Sequence, residues 1–374
     1  MKTMKKLLAL TVALFLLAAL TACDNAGGSN GDVWDYKAES EKAAPTGVTL
    51  NVYNWGEYID DELLDVNEAF TYLTGIEVNY QTFDNNESMY ALISSGAADY
   101  DVIFPSDYMA GRMISEGMCA KLNFDNIPNY QYIDEPYKNL PYDPTNEYTV
   151  PYTWGTVGIF YNSEYVTDEE AQQGWDLLWN EKFKGKILMF NNPRDAFAIA
   201  LQKLGYSINS TEPSEWQAAY DLLVQQKPLL KQYVNDEIYD LMTEEEAYIA
   251  PYYAGDATIM IYGDSGNENI KFYIPESGTN FFVDCMCVRS TTQHQAEAEA
   301  YINFLCRTEV AKANAEYIGY STPHKEARAQ LDPEIGENPY FYPSQEIMDN
   351  TEMFLTLPDN INKLESDLWV QLTQ

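Results

Sequence analysis

Between residues 50 and 117 the chain alternates strand-like and helix-like periodicity, and few folds accommodate that alternation. Leu50, Val52 and Asn54 alternate with Asn51 and Tyr53 at the period of a half-buried strand, and the run then breaks into Trp55-Gly56-Glu57-Tyr58. Leu63, Leu64, Val66 and Phe70 recur at helical spacing and predict a helix over 59–72. A second strand is predicted from Gly75 to Thr82, a second helix from Asn86 to Gly96, and a third strand from Tyr100 to a stop at Pro105. A third helix is predicted over 109–117. Strand, helix, strand, helix, strand begins a doubly wound α/β lobe, in which ligands sit beyond the carboxyl ends of the strands.

The strand tips share a chemistry. Trp55, Glu57 and Tyr58 offer a π-face, a negative charge and a phenol, a set that suits an organic cation. The same residues also read as a capped helix start with Trp and Tyr in the core. Hydroxyl, carboxylate and phenol recur at Ser106-Asp107-Tyr108 after the third strand. Further on, a strand over 185–190 ends at Asn191-Asn192-Pro193-Arg194-Asp195, with Pro193 placed for the first turn of a helix over 196–204. Asn192 then falls near the N-cap and Asp195 in the first turn, where capping is the simplest role and an ionised carboxylate is favoured. The strand over 247–256 ends in Tyr253 and Asp256, and the strand over 278–288 carries Phe282 and Asp284. Pro151 to Tyr161, interrupted by Gly155 and Gly158, reads as a first crossing between lobes and 278–288 as a second. The last predicted helix covers 359–371.

The ends and the composition set the setting. Met1 to Lys6 is basic, and the apolar run from Leu7 to Leu20 is shorter than the ~20 residues a membrane span needs. Residues 1–22 read as a signal peptide whose end, Leu20-Thr21-Ala22-Cys23, resembles the lipobox of bacterial lipoproteins, with Cys23 as the lipidated residue. The stretch 23–46 has the composition of a flexible tether, so the globular part is expected from about Gly47. What remains is long enough for two lobes and a cleft. Acids outnumber bases 58 to 22, a net charge of −36 that becomes −39 once Lys2, Lys5 and Lys6 leave with the signal peptide. Such a surface repels nucleic acid and attracts cations. Cys119, Cys285, Cys287 and Cys306 allow three full disulfide pairings between which the sequence does not choose; Cys285 and Cys287, on one face of an apolar strand, read as buried thiols, and no histidine stands at zinc-ligand spacing. No nucleophile elbow, zinc-protease or phosphate-loop motif is present, which leaves a carboxylate pair acting on glycosides as the enzymatic alternative.

From Gly47 onward the chain resembles the spermidine/putrescine-binding proteins of ABC transporters. The resemblance rests on Tyr53-Asn54-Trp55-x-Glu57-Tyr58, Thr74-Gly75-Ile76 with Asn86-Glu87-Ser88-Met89-Tyr90, Pro105-Ser106-x-Tyr108, Pro151-Tyr152-x-Trp154-Gly155, Lys203 to Ser207, and Ile318-Gly319-Tyr320-x-Thr322-Pro323. It implies the type II periplasmic-binding-protein fold, two α/β lobes joined by crossing strands with a ligand cleft between them. The lobes are expected at 47–155 plus 283–328 and at 158–280 plus 331–374. The resemblance also implies roles: Trp55, Glu57 and Tyr58 hold one amine with Ser106 and Tyr108 beside them, Asp195 and Asp284 meet ammonium groups, and Tyr320 faces the ligand. Asn192 stands where spermidine binders carry an aspartate, and Tyr253 and Phe282 stand where they carry tryptophans. Asp256 is similar to the arrangement in putrescine-preferring members, which tilts the expectation towards putrescine. The expected protein is an exported monomer, lipid-anchored to the outer face of the bacterial cell membrane, that passes a polyamine to ABC permease subunits without cofactor, metal or nucleic acid. The alternatives are another small cation or solute in the same fold, or an extracellular glycoside hydrolase.

Overall fold

A computed structural model describes residues 33–263 and 265–374. The predicted signal peptide, Cys23 and the first part of the tether lie outside the described residues. The globular unit begins at Tyr36 rather than Gly47. A short helix α1 (Tyr36–Glu39) buries Tyr36, whose ring meets Tyr72 edge-on at 5.4 Å, and the segment after it bonds Ala43 N to Tyr72 O and Thr46 N to Gly75 O. One aromatic anchor in a polar stretch carries no periodicity, so composition alone placed it in the tether.

β1 (Thr49–Trp55) is followed by α2 (Val66–Thr74), β2 (Glu77–Phe83), α3 (Asn86–Ser94), β3 (Val102–Ile103) and α4 (Asp107–Ser115). β1 pairs in parallel with β2 on one side and β3 on the other, which is the alternation read from the sequence. α2 starts seven residues later than the spacing predicted. The Asp60 carboxylate accepts from the backbone N–H groups of Glu62, Leu63 and Leu64, holding that stretch as a turn and leaving Leu63 68% exposed. Asp65, at φ 48°, then caps the helix by accepting from Glu68 N.

The long strand β4 (Thr149–Asn162) is buried throughout. β5 (Ile187–Phe190), α5 (Pro193–Lys203), α6 (Pro213–Gln226), β6 (Leu230–Val234) and β7 (Ile249–Tyr253) follow, then β8 (Ile270–Tyr273) and β9 (Thr279–Val288). The strand order is β2-β1-β3-β9-β4-β7-β5-β6, with β8 added on β4 and β10 (Thr351–Glu352) on β9. The two crossing strands explain how this order closes. β4 pairs with β9 from Thr149 to Thr156 and with β7 from Val157 to Tyr161, changing partner midway. β9 in turn pairs with β3 through Cys287 and Val288. β4 and β9 therefore belong to both halves of the α/β sheet, as the expected crossing strands do. Helices α7 (Gln295–Leu305), α8 (Thr308–Ile318) and α9 (Asp359–Thr373) complete the unit. Among the described residues no helix is long and apolar enough to cross a membrane, and all four cysteines are free and buried.

The glycines of β4 make room for rings where the strand changes partner. A Cβ on Gly155 would lie 2.7 Å from Phe282 Cζ, and one on Gly158 would collide with the Phe272 ring and lie 2.8 Å from Tyr273 O. Gly158→Ala is expected to destabilise the protein by about 1–3 kcal/mol through overpacking, measured by urea unfolding. An unchanged midpoint would mean that Phe272 has room to move away.

Candidate functional site

The carboxyl ends of β1, β3, β5 and β7 and the middle of β9 face one cleft. It encloses about 1040 Å³, counted out to solvent. All twelve ligand-contact candidates line it: Trp55, Glu57, Tyr58, Ser106, Tyr108, Asn192, Asp195, Tyr253, Asp256, Phe282, Asp284 and Tyr320. Phe282 and Asp284 sit within β9 instead of at its tip, and the two-residue period keeps both on the cleft side.

Local rules place each group. After β1 the chain turns through Glu57, a non-glycine residue at φ 48°, a sparsely populated conformation that leaves its carboxylate exposed at the mouth. Trp55 packs on Phe83 at 4.6 Å, with its indole N–H buried and without a partner among the described residues. Asn192 is the N-cap of α5, its Oδ1 accepting from Arg194 N at 3.0 Å, with Pro193 next and Asp195 in the first turn. Asp256 closes a one-turn 3₁₀ segment after β7. Glycine is required beside it, because a Cβ on Gly255 would lie within 2.6 Å of Tyr320 Cγ.

Three buried carboxylates in the cleft are held by tyrosine hydroxyls. Tyr58 donates to Asp284 at 2.6 Å, Tyr253 to Asp195 at 2.9 Å, and Tyr320 and Tyr239 to the two oxygens of Asp256 at 3.0 and 3.2 Å. At the edge Tyr252 reaches Asp236 at 3.3 Å and Tyr108 reaches Glu87 at 2.8 Å. A phenol fixes a carboxylate without neutralising it, leaving its charge and remaining lone pairs for a ligand. The rings also touch one another: Tyr58 meets Tyr320 at 5.0 Å, Tyr320 meets Phe282 at 6.3 Å, and Phe282 meets Tyr253 at 5.4 Å. An aromatic belt thus runs between three anchored aspartates. This use of tyrosine also accounts for part of a composition with 30 of them.

The acids have no cationic side chain beside them in the cleft wall, though Arg194 behind it acts on Asp195 and Asp107. Glu57, Asp84, Asp107, Asp195, Asp236, Asp256 and Asp284 line the cleft with no Lys, Arg or His among the lining residues. Burial pushes Asp195 and Asp256 up to about 7 and Asp284 up to about 6; Tyr253 and then Arg194 pull Asp195 the other way, Tyr320 and Tyr239 do so for Asp256, and Ser106 and Tyr58 do so for Asp284. Asp284 Oδ1 is buried and makes no well-formed hydrogen bond among the described residues, although the Ser106 side chain beside it helps hold the carboxyl down. A buried carboxylate oxygen left this way is costly unless a donor arrives. Asp107 is different: it is fully buried, and its oxygens accept from the backbone N–H of Tyr108 and Val283, tying α4 to β9. No group of three or more metal-ligating side chains is arranged for a metal ion among the described residues. Cations with several charges fit this cleft, and anions do not.

Sequence reasoning missed Asp236, Tyr239, Tyr252 and Phe354. Asp236 follows β6, so the rule that found the other tips would have found it had Leu230–Val234 been read as a strand. Phe354 reaches the cleft from an irregular C-terminal segment that carries no periodic signal.

The family of bacterial extracellular solute-binding proteins matches residues 66–342. The spermidine/putrescine-binding periplasmic protein of Escherichia coli (strain K12) is 36% identical over 307 residues, 81% of this chain and 86% of the relative. Spermidine/putrescine-binding periplasmic protein 1 of Haemophilus influenzae is 31% identical over 351 residues, 93% of each chain. Among solved structures, the spermidine/putrescine ABC transporter substrate-binding protein PotD from Streptococcus pneumoniae, in complex with calcium and HEPES, superposes with a TM-score of 0.75 at 36% identity, covering 87% of this chain and 98% of that one.

Proposed function

Because this chain belongs to the bacterial extracellular solute-binding proteins, we propose that it captures a polyamine outside the cell and delivers it to an ABC permease, with no chemistry on the ligand. The observation that carries this reading is the belt of rings strung between three tyrosine-anchored aspartates, with one aspartate oxygen awaiting a donor. An α,ω-diamine supplies what that surface lacks. Its ammonium groups bring charge and donors to the carboxylates, and its methylenes fill the space between rings.

The magnitudes are sufficient. Hydrogen bonds to charged groups contribute about 1.5–3 kcal/mol each, and four buried methylenes add about 3 kcal/mol at ~0.8 kcal/mol apiece. Micromolar affinity needs only about 8 kcal/mol net. Residues 47–155 plus 283–328 and 158–280 plus 331–374 act as the two jaws, closing around the ligand on β4 and β9. Anchoring through a lipidated Cys23 keeps the monomeric receptor at the outer face of the membrane. We also place putrescine ahead of spermidine. Asn192 brings no charge for an internal amine, and its Oδ1 is engaged with the Arg194 N–H.

Calorimetric titration of the purified protein at pH 8 tests both parts. Micromolar or tighter binding is expected for both amines, with putrescine the tighter. Absence of heat with either would overturn the polyamine assignment, and tighter spermidine binding would overturn the preference alone.

A further inference from the structure

A second cavity, of about 540 Å³ counted out to solvent, lies behind the cleft and shares Tyr108 with it. It is set between α4, the first turn of α5 and α9. Two buried groups of opposite charge face it with unused hydrogen-bonding capacity. Arg194 is 3% exposed, and its Nη2 donates to Asn209 Oδ1 at 3.0 Å and to Leu355 O at 3.2 Å, but Nε and Nη1 are buried without partners among the described residues. Glu365, on α9, is 8% exposed, and its Oε1 is likewise buried and unpartnered. The two do not satisfy each other, since they make neither a hydrogen bond nor an ion pair.

Leaving such groups unmade costs about 1–3 kcal/mol each and more when they are charged, so a polar occupant is called for. The surroundings restrict its chemistry. A simple anion on Arg194 would meet Glu365 and Glu87, while a simple cation on Glu365 would meet Arg194. Arg112 at the rim is engaged with Glu116 at 3.0 Å and with the Tyr90 ring at 3.9 Å. Water alone would leave the apolar wall that Met109 and Leu357 give the space uncovered. Exposed Thr356 and Ser366 stand at its mouth, so it is open to solutes.

We propose that this cavity binds a small zwitterionic amino acid, with the carboxylate on Arg194, the ammonium on Glu365 and the carbon chain against Met109 and Leu357. A zwitterion answers both orphaned charges without adding net charge to a buried space. Burial pushes the Glu365 carboxyl up to about 7, with Arg194 pulling it down and Glu87 and Asp195 pushing it further up. Occupancy therefore rises with pH through that range, as Glu365 ionises to receive the ammonium.

Glycine and β-alanine titrated into the purified full-length protein at pH 8, with and without saturating putrescine, test this, with propionate and propylamine as single-charge controls. Saturable binding of an amino acid in both series is expected, weaker at pH 6, and weaker for each control in the putrescine-saturated series. Glu365→Gln is expected to weaken it about tenfold or more. Ser366→Trp, at the exposed mouth, is expected to block it while leaving the putrescine titration unchanged. No saturable amino-acid binding, equal binding in both variants, or propionate binding as tightly as β-alanine would each overturn the proposal. The amino-acid titrations without putrescine do not depend on a polyamine binding in the cleft.

Discussion

Asp284→Asn is expected to weaken putrescine binding by at least about 30-fold, a loss of about 2 kcal/mol. The side chain is 4% exposed, held by Tyr58 at 2.6 Å with Ser106 beside it, and its Oδ1 makes no well-formed hydrogen bond among the described residues. An ammonium placed there and then robbed of its counter-charge is a buried unpaired ion, which is why the effect exceeds that of losing an exposed pair. The amide keeps the shape, so the unliganded variant should melt at or above the wild-type temperature. Calorimetry at pH 8 reads the affinity and a thermal melt reads the fold. Near-wild-type affinity in a well-folded variant would move the amine away from Asp284.

Polyamine affinity is also expected to fall by roughly one to two orders of magnitude between pH 8 and pH 6. Asp195 and Asp256, raised to about 7, and Asp284, raised to about 6, must be ionised to receive ammonium groups, and each costs about tenfold per pH unit once below its own pKa. Stability without ligand runs the other way. A carboxyl whose folded-state pKa is raised favours the protonated folded form, so its contribution is fully present below the unfolded value near 4 and is lost as pH rises through about 6 to 7. Acidification from pH 8 to 6 should therefore lessen the strain these three groups place on the empty protein while shrinking the thermal shift that putrescine produces. A ligand-induced shift that stays constant across this range would contradict the assignment of these carboxylates.

Much of the site was legible because it hangs on local rules. Pro105 ends a strand, Pro193 starts a helix with Asn192 as its cap, and a two-residue period puts Phe282 and Asp284 on one face. The crossing role of β4 and β9 was legible too, although Gly155 and Gly158 turned out to clear space for Phe282 and Phe272. What stayed hidden depends on distance along the chain. Nothing near Tyr58 announces that it donates to Asp284, 226 residues away. The pairing of Asp195, Asp256 and Asp284 with phenols is a tertiary fact, as is the absence of a direct bond between Arg194 and Glu365. Local competition caused the remaining miss: apolar spacing predicted a helix over 59–72, but Asp60 and Asp65 captured the backbone donors of its first turn.

A crystal structure of the putrescine complex at pH 8 tests the central claim most directly. One ligand nitrogen should lie at hydrogen-bonding distance, roughly 2.7–3.2 Å, from Asp284 Oδ1. The other should lie on Asp195 or Asp256, with the methylenes between the rings of Tyr253, Phe282 and Tyr320. Putrescine bound outside the cleft, or inside it with Asp284 Oδ1 still without a donor, would contradict the account.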